Sequence, residues 1–470
     1  MATTLDDKRI AEWLFLLTFF SAAYFYAGAG WNQNATFDLT RAIVERHTLA
    51  IDAYAGNTGD VSYAHGHVYA NKAPALSFLA AVPYVFVHAA GITNLAIACY
   101  FCTLFTCGIF AALVPALLYR AGRRRGLDPV WSAAVALIVA FATELFPYST
   151  VLMVMVPAGA LMLIALETRH AWLAGLAAAV ATAMYYICAP AMVVIALVRG
   201  RRTLVQFIAG AVLPLAGLAA YQYHCFGGFL TSSMANTDPR FLTRGALFGL
   251  PSLDALYGVT ISPYRGLIFF APVLIMAIVP VARNLGLLVI SAIFLLFNLC
   301  FINWDAGFGV GARYLVPLIP LWGVALLTVE KRRIVVALGV LSLAINVAVT
   351  AVDPQPSATI PRPLTQYIIP LLARGHFSPG VPITAPWSAK TFTGHTSVNR
   401  LAHDEAVVFR RHPPGSVESE WSSFNLGELL FGAGDARSLI PFAVVFLAAI
   451  AVILEKARRS SRASATPPTC

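Results

Sequence analysis

The chain has 470 residues, of which 59% are hydrophobic and 11% charged, with a formal net charge of +10. A soluble domain carries roughly 25% charged residues, so too little polar surface exists here to coat a water-soluble body. The basic residues stand in short loops between long apolar blocks, a pattern that reads as membrane topology and not as a nucleic-acid footprint.

The first apolar block, residues 10–29, follows Lys8 and Arg9. A cleaved signal sequence is its rival reading, and the small residues at 27–30 permit one. The length of the run favours a retained span with the N-terminus inside. Residues 74–87 and 92–119 are both apolar. Were both to cross, Arg120, Arg123, Arg124 and Arg125 would face outward, against the positive-inside rule. The 74–87 run is short and contains Pro83, so it is read as an interfacial or re-entrant helix on the outer face. Spans then alternate over 131–148, 151–166, 171–185, 189–198, 204–221, 266–281, 285–301, 314–329, 334–352 and 439–454. The expected fold is therefore all-α and polytopic, with about twelve transmembrane helices, juxtamembrane helices on the outer face and both termini cytoplasmic. Residues 1–352 form the transmembrane core with an outer loop at 30–91. Residues 353–437 form an extracytoplasmic segment packed on the outer face. Residues 438–470 hold the last span and a polar tail predicted to be disordered.

The seven cysteines lie mostly within apolar blocks or at their ends and suggest no disulfide framework. Cys99 and Cys102 form a CxxC pair, read here as small residues packing between helices.

Three cations stand at expected helix starts on the outer face. Lys72 lies two residues before Pro74, Arg265 follows the capping pair Ser262-Pro263, and Arg313 follows the run Gly307, Gly309, Gly311. A helix N-terminus prefers anions, and one joined to a cation suits a phosphate. Snorkelling to lipid headgroups explains any one of them alone; three at one membrane face favour a shared anionic ligand.

Residues 36–46 read as a short helix with Asp38, Arg41 and Glu45 on one stripe. Asp38 is either a base just above the membrane or half of a surface pair with Arg41. Asp52 and Asp60 sit near Gly56, Asn57 and Gly59, where turn formation is their default explanation. His65 and His67 supply two ligands where a metal needs three or four; no metal set is predicted, no cofactor is required, and dependence on a divalent metal stays open. Glu144, near the outer end of its span, is costly in lipid and should face a cavity or a partner. Asn34-Ala35-Thr36 matches a glycosylation sequon.

The stretch His65-Gly66-His67-Val68-Tyr69-Ala70-Asn71-Lys72-Ala73-Pro74, following Asp38 in the first outer loop, resembles that of the GT-C superfamily of membrane glycosyltransferases. Its layout is similar to the protein O-mannosyltransferases and the lipid A aminoarabinose transferases. The segments 262–266 and 304–314 resemble those of bacterial members. This chain departs from the mannosyltransferases in having a lone Asp38 where they have an Asp-Glu pair, and Ala73-Pro74 where they have a double proline. The resemblance implies that Asp38 is the catalytic carboxylate and Lys72 a ligand of the donor phosphate. Arg265 and Arg313 are assigned to that phosphate by position. Arg41, His67, Tyr69 and Tyr264 complete the expected substrate-binding set.

The implied activity is transfer of a sugar from a polyprenyl-phosphate donor to a lipid, glycan or protein acceptor, outside an inner (cell) membrane. A secondary transporter or flippase is the alternative. Against it, the sequence has no clear internal repeat and almost no charge within its spans besides Glu144. A non-catalytic lipid-binding protein is a third reading.

Overall fold

The computed structural model describes residues 5–28, 30–239, 242, 246–373, 375, 423–432 and 435–465. Most of the segment expected at 353–437 lies outside the described residues. The chain is mainly helical, as the apolar blocks predict. It opens with α1 (Leu5–Tyr24), a two-residue strand β1 (Phe25–Tyr26) and α2 (Trp31–Arg46). A hairpin of β2 (Val61–Ala64) and β3 (His67–Ala70) leads to α3 (Ala75–Ala89). A second small antiparallel pair joins β1 to β4 (Phe424–Asn425).

Among the described residues four helices are long and apolar enough to cross a membrane: Leu95–Arg124, Arg201–Phe226, Arg332–Val352 and Ala436–Arg462. Their outward side chains suit lipid, since Val205, Leu213, Val444 and Leu447 are exposed. Water leaves such a surface unstable, whereas a bilayer core matches it. The helices Pro129–Phe141, Met155–Glu167, Ala171–Met184, Cys188–Arg199 and Leu285–Cys300 are apolar but shorter.

Three expected spans are interrupted. The 131–148 run divides into Pro129–Phe141 and Leu145–Ser149, with Thr143 and Glu144 in the break. The 266–281 run becomes Leu267–Phe270 followed by Pro272–Arg283. The Arg332–Val352 helix supplies polar side chains to this second break. Asn346 Nδ2 donates to the Phe270 carbonyl at 2.8 Å, and Ser342 Oγ accepts from the Val273 N–H at 3.1 Å. Backbone groups freed by a proline inside an apolar layer need such partners. The third run, Arg313–Leu326, begins as a 3-10 turn and carries Pro317 and Pro320.

Basic loops gather at one end of the bundle. Arg123 Nε pairs with Asp7 Oδ1 at 2.8 Å, and Tyr119 donates to the same oxygen at 2.7 Å. Arg124 and Arg125 hold Glu167 at 2.7 and 2.6 Å. The hairpin, the start of α2 and the glycine-rich loop before Arg313 lie at the opposite end.

Candidate functional site

The first outer loop folds around the hairpin. Its turn places His65 at φ 51° and Gly66 at φ 79°, the left-handed pair that a two-residue turn demands. The His-x-His spacing thus has a backbone reason. His67 is exposed and bonds Asp52 at 2.8 Å, and among the described residues no three His, Cys, Asp or Glu gather to hold a metal. Strand register pairs Val61 with Ala70, and the Asn71 N–H continues the ladder onto the Asp60 carbonyl at 3.0 Å. Lys72 therefore emerges beside Asp60, and its ammonium lies 2.9 Å from Asp60 Oδ2. The turn role expected for Asp60 misses this ion pair. Burial pulls the Lys72 pKa below its usual value; Asp60 opposes the shift and Arg313 adds to it. Two cations from segments 241 residues apart thus act on one another.

Arg313 stands at the end of a loop with unusual backbone. Ala306, Gly307, Gly309 and Gly311 all have positive φ. The glycines at 309 and 311 are needed for space as well. A Cβ on Gly309 would meet the Tyr148 hydroxyl at 2.5 Å, and one on Gly311 would meet Glu144 Oε1 at 2.7 Å. Tyr148 fastens the loop by donating to the Val310 carbonyl at 2.7 Å. The break in the 129–149 region delivers both Glu144 and Tyr148 to the underside of the loop.

Arg265 has a different set of partners from the anion expected for it. Its Nε donates to the Asp305 carbonyl at 3.1 Å and its Nη2 to the Gly307 carbonyl at 2.6 Å. Its Nη1 donates to the Gly309 carbonyl. The guanidinium, 1% exposed, therefore pins three carbonyls of the glycine-rich loop. Tyr264 stacks on it at 4.2 Å and donates its hydroxyl to the Ala358 carbonyl at 2.6 Å. Arg313 is the opposite case. Its Nη1 reaches the Phe308 carbonyl at 2.9 Å and the Tyr314 side chain interacts with its guanidinium, while its buried Nε has no hydrogen-bond partner among the described residues. Tyr185, within electrostatic reach of Arg313, has a buried hydroxyl with no partner among the described residues. Glu144 is fully buried, and neither carboxylate oxygen is bonded among the described residues.

The helix expected at 36–46 begins five residues earlier, at Trp31. Asp38 is fully buried on it, within electrostatic reach of Arg41 and Cys99. The surface pair considered for Asp38 and Arg41 is not what forms. Arg41 Nε instead bonds Glu45 at 2.9 Å and lies 4.1 Å from the Tyr54 ring. Glu45 also accepts from the hydroxyls of Tyr54, at 2.7 Å, and Tyr84, at 2.5 Å. These partners, led in effect by Arg41, outweigh the burial that raises the Glu45 pKa and hold it below the usual carboxylate value. Tyr69 packs its ring 5.4 Å from that of Phe226. Arg41, His67 and Tyr69 are thus engaged by their own neighbours, while Lys72 and Arg313 come within electrostatic reach of one another across the chain.

Sequence reading missed the pairing of Asp60 and the place of Tyr148 and Tyr185. A Tyr-Tyr pair at the end of the 171–185 apolar run was the available signal for the last. Glu144 announced itself by its cost in lipid.

No family model matches the chain, and no curated protein does. Two solved structures of one protein are similar to it. ArnT from Cupriavidus metallidurans in the apo state has 15% identity and a TM-score of 0.42, over 86% of this chain and 74% of that one. The same protein bound to undecaprenyl phosphate has 13% identity and a TM-score of 0.46, over 88% and 76%.

Proposed function

We propose that the chain is a membrane glycosyltransferase of GT-C type, moving a sugar from a polyprenyl-phosphate donor to an acceptor hydroxyl on the extracytoplasmic side. The observation that carries this reading is that Lys72 and Arg313, within electrostatic reach of one another, share their end of the bundle with buried polar atoms that have no hydrogen-bond partner among the described residues: Arg313 Nε, the Tyr185 hydroxyl and, under the glycine-rich loop, the Glu144 carboxylate. Native interiors leave few such atoms, and those that remain call for a reason such as a ligand. Two cations suit a phosphate, and a tyrosine hydroxyl with a carboxylate suits sugar hydroxyls. Transmembrane helices around the site give a lipid tail somewhere to lie.

In this reading Asp38 takes the proton from the acceptor hydroxyl as its oxygen attacks the anomeric carbon. The bond from that carbon to the phosphate oxygen breaks, and the configuration inverts. Lys72 and Arg313 stabilise the charge gathering on the departing lipid phosphate. Arg265 positions the loop that presents Arg313 and does not touch the phosphate itself. Glu144 is a second carboxylate available to the sugar.

The test uses the purified full chain in lipid nanodiscs with a polyprenyl-phosphate sugar. The wild type should transfer or release the sugar, and Asp38→Asn should slow this by about 10²- to 10⁴-fold with little change in donor affinity. Accumulation of the donor across vesicle membranes without cleavage would instead establish a transporter or flippase. Full activity in Asp38→Asn would remove Asp38 from its role.

A further inference from the structure

The chain leaving the Arg332–Val352 helix runs Asp353-Pro354-Gln355-Pro356-Ser357-Ala358. Alternate prolines keep it out of any helix, and it bends at Pro354 and Gln355. Asp353 fixes its root, accepting from the Gln355 N–H at 2.7 Å and from the Tyr367 hydroxyl at 2.9 Å. One edge of this strap lies on the glycine-rich loop. The Pro356 and Pro354 carbonyls accept from the Gly309 and Val310 N–H groups at 3.1 and 3.2 Å, and the Ala358 carbonyl takes the Tyr264 hydroxyl. The other edge meets α2. The Gln355 side chain, 7% exposed, donates to Gln33 Oε1 at 3.5 Å. Its own Oε1 lies so close to Gly30 that a Cβ there would be 2.6 Å away. Asp38 stands five residues beyond Gln33 on the same helix.

We infer that this strap ties the helix bearing Asp38 to the loop bearing Arg313, with Gln355 as a positioning residue for the transfer reaction. The inference rests on the transferase reading for its kinetic consequence only. Two elements that must hold a base and a cation in fixed relation are otherwise carried by distant parts of the chain. A proline-stiffened segment bonded to both limits their relative motion, and its own ordering costs little entropy. A buried amide reaching a second amide across the gap gives that link direction as well as contact.

The experiment compares wild type, Gln33→Ala, Gln355→Ala and the double variant as full chains in nanodiscs. Amide hydrogen exchange is followed at Gly309, Val310 and the first turns of α2. Gln355→Ala should speed exchange at both places and lower kcat by about 10- to 100-fold, while the Kd for polyprenyl phosphate stays within about twofold. Members of one link are not additive, so the double variant should match Gln355→Ala alone. Gln355→Asn, too short to reach Gln33, replaces Gln355→Ala if the latter does not fold. Unchanged exchange at Gly309 and Val310, or additive effects of the two single changes, would overturn the tie. If wild-type protein transfers no sugar, the transferase reading fails, and the exchange result alone decides whether the strap joins the two elements.

Discussion

The two ends of the helix bundle treat buried carboxylates differently. At the basic end Asp7 and Glu167 are each held by arginines within 2.8 Å, and Tyr119 adds a further bond to Asp7. At the opposite end Glu144 lies under the glycine-rich loop with no bond to either oxygen among the described residues, and the Nε of Arg313, at the end of that loop, is also unmet. A chain that pairs its carboxylates with several donors at one end has no general difficulty in doing so. Arg199 Nε is unmet at the basic end too, so the contrast lies in the carboxylates, and the unmet oxygens of Glu144 are read as places held for something else. A further contrast separates the two arginines that bond the glycine-rich loop. Arg265 gives its donors to the carbonyls of residues 305, 307 and 309, and Arg313 keeps one back.

Arg313→Met sharpens this contrast most. It should weaken binding of polyprenyl phosphate by about 10- to 100-fold, the worth of one charge-assisted hydrogen bond, with little change in thermal stability. Calorimetric titration and a melting scan on the same sample check both halves. Arg265→Met should do the reverse first, lowering stability by about 1–3 kcal/mol for each buried carbonyl left unpaired. Arg265→Lys should not restore it, because a single ammonium cannot reproduce the fork that spans three carbonyls. Equal loss of lipid affinity and equal stability in the two arginine variants would break the distinction.

At the basic end, Glu167→Gln should cost about 1 kcal/mol or less, since its arginine partners are partly exposed and solvent screens the pairs. Transfer activity should be unchanged, which an assay beside a melting curve would show. The smallest expected effect is on pH. Burial pushes the Asp353 carboxyl up to about 6 from an ordinary 3.8, although the Gln355 N–H and the Tyr367 hydroxyl bond it. A carboxyl raised in the folded state favours folding fully below its ordinary value, and that contribution is lost as pH rises through about 6. Exchange at Gly309 and Val310, corrected for intrinsic rates, should therefore be slower at pH 5 than at pH 7.5. Asp353→Asn should flatten the difference; an unchanged slope would take the titration away from Asp353.

The placing of most helices was legible in the sequence because apolar runs and basic loops report it directly. Residues 171–185, 204–221, 285–301 and 334–352 each coincide with a helix within a few residues. The interruptions at Thr143–Glu144 and at Pro272 were less legible, since hydropathy averages across a break that only a partner such as Asn346 makes tolerable. Lys72 and Arg313 could be singled out by their place before apolar runs. The partners of Arg265 could not, because donors to a glycine-rich loop leave no trace in spacing. Asp60 looked like a turn residue until strand register set it opposite Asn71.

A cryo-electron microscopy map of the full chain with polyprenyl phosphate bound tests the central claim most directly. The account predicts phosphate density within hydrogen-bond distance of both the Lys72 ammonium and the Arg313 guanidinium, with the Asp38 carboxylate facing the same recess. Phosphate density against the arginines of the basic end, or a recess closed off from Asp38, would contradict it.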